Sequence, residues 1–224
     1  MKKSIIITCF GTLLMAGSAF AQPVHDRAVI PVAVTLEQIL RIKVIDGGNV
    51  EFVFNDINDY KNGMGTLAGG AATAFYQSTL VIASSTNWQL DCGAEDATMI
   101  GTDDPANLAM ALNNIGLVTT WTGGNTFGAG NQVIAGAGYA NAGTANADAL
   151  IQYAGPGTAL LFDNGTGNGG DVNDNSFTID WQVGINANSA GAANVGTMNG
   201  TSILSQSLPA DRYVTNVLFD LTAL

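Results

Sequence analysis

The run Val29–Ile45 limits what this chain can fold into more than any other stretch. Alternate residues Ile30, Val32, Val34, Leu36, Gln38, Leu40, Ile42 and Val44 make one face, apolar except at Gln38; Thr35, Glu37, Arg41 and Lys43 stand on the other. Period-two alternation marks a strand with one buried side. Globular strands usually have about five or six residues. A register kept this long therefore predicts two collinear strands, or one that overshoots its own domain. An overshooting strand carries unpaired N–H and C=O groups, which invite pairing with another molecule's sheet edge.

The residues ahead of that run read as a secretory leader. Lys2 and Lys3 give a charged start, Ile5–Leu14 an apolar core, and Ala19-Phe20-Ala21 a small-x-small cleavage site. The apolar part is too short to span a bilayer, and Cys9 lies within it. Cleavage after residue 21 leaves a mature chain from Gln22, with 22–36 as an N-terminal extension or donor strand and 37–224 as a single domain. No later apolar run has the length of a membrane helix, so a secreted protein without a membrane span is expected. With Lys2 and Lys3 gone, five Lys+Arg remain against 18 Asp+Glu, a formal net charge of −13. Such a surface repels phosphate backbones and argues against nucleic-acid binding. Charged residues make up only 11% of the chain, against about 25% in an ordinary domain. Solubility then rests on Asn, Thr, Ser, Gln and Gly, a composition suited to a turn-rich β protein.

Strand-like segments recur between turn residues, and the fold class they predict is all-β, an antiparallel sandwich with long Gly/Asn-rich loops. Val50, Phe52 and Phe54 alternate after the Asp46-Gly47-Gly48-Asn49 turn, followed by a loop over Asp56–Gly70. Tyr76–Ser84, Trp88–Cys92 and Leu117–Trp121 read as strands, and Leu150–Tyr153 with Ala159–Phe162 as a strand pair. Phe177, Ile179, Trp181, Val183 and Ile185 form the clearest internal strand, expected at the centre of a sheet. Pro105–Ile115 fits either a short helix, capped by Asp103 or Asp104, or a ragged strand. Thr122–Ala147 fits a long irregular excursion or a small β-arm. The closing run places Tyr213, Thr215, Val217, Phe219, Leu221 and Ala223 on one face.

Chemistry-bearing patterns are few. His25 is the one histidine, so histidine triads and His/Cys zinc sites have no basis. Glu occurs only at 37, 51 and 95 and no catalytic motif stands out, so no enzyme is expected; a glycosidase-like carboxylate pair is the one catalytic arrangement left open. Cys92 is the single cysteine after the leader, read as a buried thiol rather than an intermolecular link. Asp163 opens a polar loop in which Asp171, Asn173 and Asn175 have the one-three-five spacing that wraps calcium. Ser176 stands where an EF-hand has its turning glycine, and Asn/Asp/Gly make hairpin loops without metal. Calcium is thus the only cofactor the spacing suggests. Trp88, Trp121 and Trp181 read as core residues rather than a sugar-stacking platform.

The leader, the alternating start VIPVAVTLEQILRIKVI and the closing strand RYVTNVLFDLTAL together resemble bacterial pilin-like surface fibre subunits. That resemblance implies a secreted immunoglobulin-like sandwich polymerised by donor-strand exchange. Ile30, Val32, Val34 and Leu36 would be the donated side chains, and Tyr213, Val217, Phe219 and Leu221 would border the acceptor groove. It also implies copies of the same chain as partners, with a secretion or assembly chaperone. The usual chaperone–usher disulfide is missing here. The other readings are an ordinary first strand folded back within a monomer, and a monomeric carbohydrate-binding or adhesive module using the loops at 122–147 and 163–175.

Overall fold

The computed structural model describes residues 30–65, 76–125, 148–163, 167–185 and 197–224. The residues expected as a leader, His25 and most of the stretches expected as loops at 122–147 and 186–200 lie outside the described residues. The chain separates into two units, residues up to Leu36 and Glu37–Leu224. In the first, Ile30–Leu36 adopts neither strand nor helix, and every residue of it is exposed.

The second unit is an antiparallel β-sandwich. Its larger sheet has the order β1 (Leu40–Asp46), β3 (Gln77–Ser84), β10 (Gly170–Val183), β7 (Ile115–Trp121) and β8 (Asp148–Ala149), with β2 (Met64–Gly65) also on β10. A second sheet runs β12 (Val217–Ala223), β4 (Trp88–Ala94), β9 (Leu160–Asp163). A small third sheet joins β11 (Tyr213–Val214), β5 (Thr98–Gly101) and β6 (Ala109–Ala111). Alternation explains which faces meet. Leu80 and Ile82 of β3 and Phe177, Ile179 and Trp181 of β10 point inward, against Trp88, Leu90 and Cys92 of β4, in one buried cluster. Trp121 lies between Phe177 (5.7 Å between ring centroids), Trp88 (6.4 Å) and the edge of Phe162 (5.4 Å). All three tryptophans thus pack on the core, as the alternation predicts.

Several elements depart from the sequence reading. Of the long opening run Leu40–Asp46 pairs as a strand with β3, with a shift of register between Val44 and Asp46. Val50, Phe52 and Phe54 alternate but form no strand. The Asp56–Gly70 loop contains a helix, α1 (Ile57–Asn62), closed by a capping box in which Asp56 accepts from the Asp59 amide and Asp59 answers from its side chain. Pro105–Ile115 resolves into a turn, β6 and one 3-10 turn (Leu112–Asn114), while a second short helix, α2, occupies Ile203–Gln206. The segments 150–153 and 159–162 do not pair with each other. Both lie against β4, where Cys92 N donates to Ala159 O and Ala94 N to Ile151 O. The closing run breaks at Thr215-Asn216, so Tyr213 belongs to the small sheet and Val217–Ala223 to the second.

Candidate functional site

The two main sheets end at β1 and β12, which approach one another on the same side of the sandwich. Each has one paired edge, β1 to β3 and β12 to β4, and no strand covers the other edge among the described residues. An uncovered edge presents a row of N–H and C=O groups. Val217 and Phe219 of β12 and Val44 of β1 line a cavity of about 350 Å³ at this margin, floored by Leu80 and Trp181.

Asn49–Phe54 passes through the same margin. Gly47 delivers it there: its φ is +68°, and a Cβ would meet Gln77 O at 1.9 Å, so only glycine turns the chain this close to β3. Val50, Phe52 and Phe54 are half-buried and pack on the core. Phe52 stacks on Tyr76 (4.5 Å, 16°) and Phe54 leans on Tyr60 (5.0 Å, 56°). Glu51 accepts from Arg212 Nε at 3.1 Å, an exposed ion pair. Yet no backbone–backbone hydrogen bond joins residues 49–54 to a described residue. On the segment's other flank lies a second cavity, about 370 Å³, lined by Phe54, Tyr60, Met110, Ile203 and Tyr213.

The residues expected to donate, Ile30, Val32, Val34 and Leu36, are 78–89% exposed. Of those expected to border an acceptor groove, Val217 and Phe219 line the smaller cavity and Tyr213 the larger, while Leu221 packs half-buried on the core further along β12. Tyr213 Oη donates to Pro209 O at 2.9 Å. Its phenol is held above the usual tyrosine range by burial and then by the charge of Asp211.

The polar loop proposed for calcium is bonded to itself. Asp171 Oδ1 accepts from Asn173 N (2.7 Å) and Asp174 N (3.3 Å), and Asp174 Oδ2 accepts from Asp171 N (3.1 Å). Asp171 and Asn173 are exposed; Asn175 is buried and accepts from Asn125 Nδ2 at 3.0 Å. The backbone of Asp163, in β9, pairs with Gln89 of β4, in a different sheet from the turn at the start of β10. Among the described residues, no three His, Cys, Asp or Glu are grouped to hold a metal ion.

One acidic site escaped the sequence reading. Asp91 and Asp220 face each other across β4 and β12. Asp91 is fully buried, and its two oxygens accept from Ala159 N (3.1 Å) and Gly157 N (3.0 Å), which fixes the turn between Tyr153 and β9. Tyr153 Oη donates to Asp220, and its phenol is pushed up to about 12 by that hydrogen bond, then by burial and the nearby carboxylate charges. The carboxylates are thus engaged in holding the 153–159 turn against β4 and β12; their cross-strand partnership is set by register, which a single sequence does not reveal. No protein-family model matches the chain, and no curated protein matches it in sequence.

Proposed function

We propose that this protein is the structural subunit of a secreted bacterial cell-surface fibre, polymerising when Ile30–Leu36 of one copy enters the β1–β12 margin of the next. The sandwich is read, on this proposal, as pilin-like and immunoglobulin-like, and the partners as further copies, with a secretion or assembly chaperone. The observation that carries the reading is the exposure of Ile30, Val32, Val34 and Leu36, four apolar side chains at alternate positions of the sequence. Large apolar side chains at this exposure are ordinarily covered by something. Fully burying one contributes about 1.5–3 kcal/mol. Four together exceed what ordering a seven-residue ribbon and docking it would consume only if backbone pairing adds to them, which an open edge supplies. The ribbon and both margins match in length, since β1 and β12 are each 7 residues long.

The test is assembly of the purified protein seen by electron microscopy and by size-exclusion chromatography. Wild-type chains are expected to form filaments. Val32→Asp, which places a charge in the middle of the donated face, is expected to yield folded monomers. Filaments from Val32→Asp, or from a variant lacking 22–36, would overturn the reading.

A further inference from the structure

We propose that Asn49–Phe54 is a placeholder strand, which occupies the β1–β12 margin in the free subunit and is displaced when the Ile30–Leu36 ribbon of a second copy arrives. This inference rests on the donor-strand reading above and adds to it how the acceptor is kept closed and then opened.

The segment has a strand's side-chain pattern without a strand's backbone. Val50, Phe52 and Phe54 recur at every second position and cover core residues, as a donated strand would. A strand fixed in a sheet would pair its amides with a neighbour. Here the main chain of 49–54 has no backbone partner among the described residues, although the free edges of β1 and β12 lie close by. The fit is also incomplete, with cavities of about 350 and 370 Å³ on its two flanks. What keeps the segment in place is side-chain packing alone, Val50, Phe52 and Phe54 on the core with two aromatic contacts among them, and the exposed Glu51–Arg212 pair. Exposed ion pairs contribute little.

Both ends are arranged for release. Gly47 turns the chain out of β1, and the Asp56 cap starts α1 on the far side, so 49–54 can leave without breaking a ladder or the helix. The competing ribbon has an advantage in both respects. It brings four apolar residues at the same spacing where the placeholder has three, and its backbone makes no backbone hydrogen bond among the described residues. The same groove is thereby protected from indiscriminate edge pairing while no partner is present.

The experiment uses the purified full chain carrying Val32→Asp, which accepts but does not donate, with Val50→Cys added as a reporter. Cys92 is fully buried and serves as the unreactive internal control. The probe is a labelled synthetic peptide of residues 29–38. Binding is followed by fluorescence anisotropy, and the reactivity of the thiol at position 50 by its rate of alkylation. The expected result is saturable binding with alkylation several-fold faster in the complex, because the displaced segment enters solvent. Adding Glu51→Arg is expected to speed peptide association, and the further change Arg212→Glu to reverse that gain. Binding with alkylation unchanged or slower would overturn the placeholder and leave the donor-strand reading standing. Absence of binding to every variant would overturn both.

Discussion

Asn168 is the residue whose side chain does most for the start of β4. Its amide reproduces one rung of a strand: Oδ1 accepts from Trp88 N at 3.0 Å and Nδ2 donates to Trp88 O at 2.6 Å, while Trp88 Nε1 donates to the Asn168 carbonyl at 2.7 Å. All of these groups are buried, so truncation strands a donor and an acceptor together. Asn168→Ala is expected to lower unfolding stability by about 2–4 kcal/mol, measured by urea titration, whereas Asn173→Ala on the exposed turn should change it by less than about 1 kcal/mol. Tyr153 supplies a pH signature. Its phenol is pushed up to about 12, above the ordinary tyrosine value of 10.0, first because the neutral hydroxyl donates to Asp220. A pKa raised on folding means that the protonated form is favoured in the native state. The stability this contributes is complete below pH 10 and is lost as pH rises toward 12. Melting temperature should therefore fall across that window, and Tyr153→Phe should flatten the part of the fall that belongs to this contact. An unchanged slope in the variant would assign the alkaline loss elsewhere.

Among the elements, α1 and the 49–54 segment are the informative pair, because both lie where alternation and composition mislead. Asn, Asp and Gly between 56 and 70 read as loop, yet Asp56 and Asp59 occupy the N-cap and N3 positions of a capping box, a local signal that outweighs composition over one turn and a half. Asp56→Ala should therefore cost about 1 kcal/mol, detectable as a lowered melting temperature without loss of the sandwich. Val50, Phe52 and Phe54 mislead in the opposite direction: periodicity reports which side is buried but not whether the backbone is bonded. Amides of residues 49–54 are accordingly expected to exchange with deuterium far faster than those of β3 or β10, despite comparable apolar patterning. Equal protection would mean that the segment is bonded as a true strand. The long ladders were legible for a related reason. In β3 and β10 alternation coincides with β-branched and aromatic content and with sheet partners on both sides, so pattern and pairing agree. Sheet membership was not legible. Nothing local in Tyr213–Ala223 says that the chain changes sheets at Thr215-Asn216, since that choice is made by the distant partners β5 and β4.

At the scale of the whole molecule, assembly by the proposed donor strand sets apolar and electrostatic forces against each other. Apolar surface on Ile30–Leu36 favours association, while the chain from Gln22 onward carries a formal charge of −13, with only five cations in it. Two such bodies repel as they approach, and the repulsion reaches as far as the screening length, about 30 Å at 0.01 M salt but about 8 Å at 0.15 M. The donated ribbon itself, Ile30–Leu36, has no charged side chain, so salt weakens the repulsion without screening any attraction the ribbon makes. The placeholder is held in part by the exposed Glu51–Arg212 pair, which salt also loosens, in the same direction. Filament growth at fixed protein concentration should therefore be several-fold faster in about 0.15 M sodium chloride than in about 0.01 M. Light scattering with electron microscopy of the end point measures this directly. With Glu51→Gln the pair, and with it the placeholder's share of the salt dependence, disappears and the subunit repulsion is left, so the ratio between the two salt conditions should shrink but stay above one. Growth that slows as salt rises would mean that complementary charges, not an uncharged ribbon, bring the subunits together.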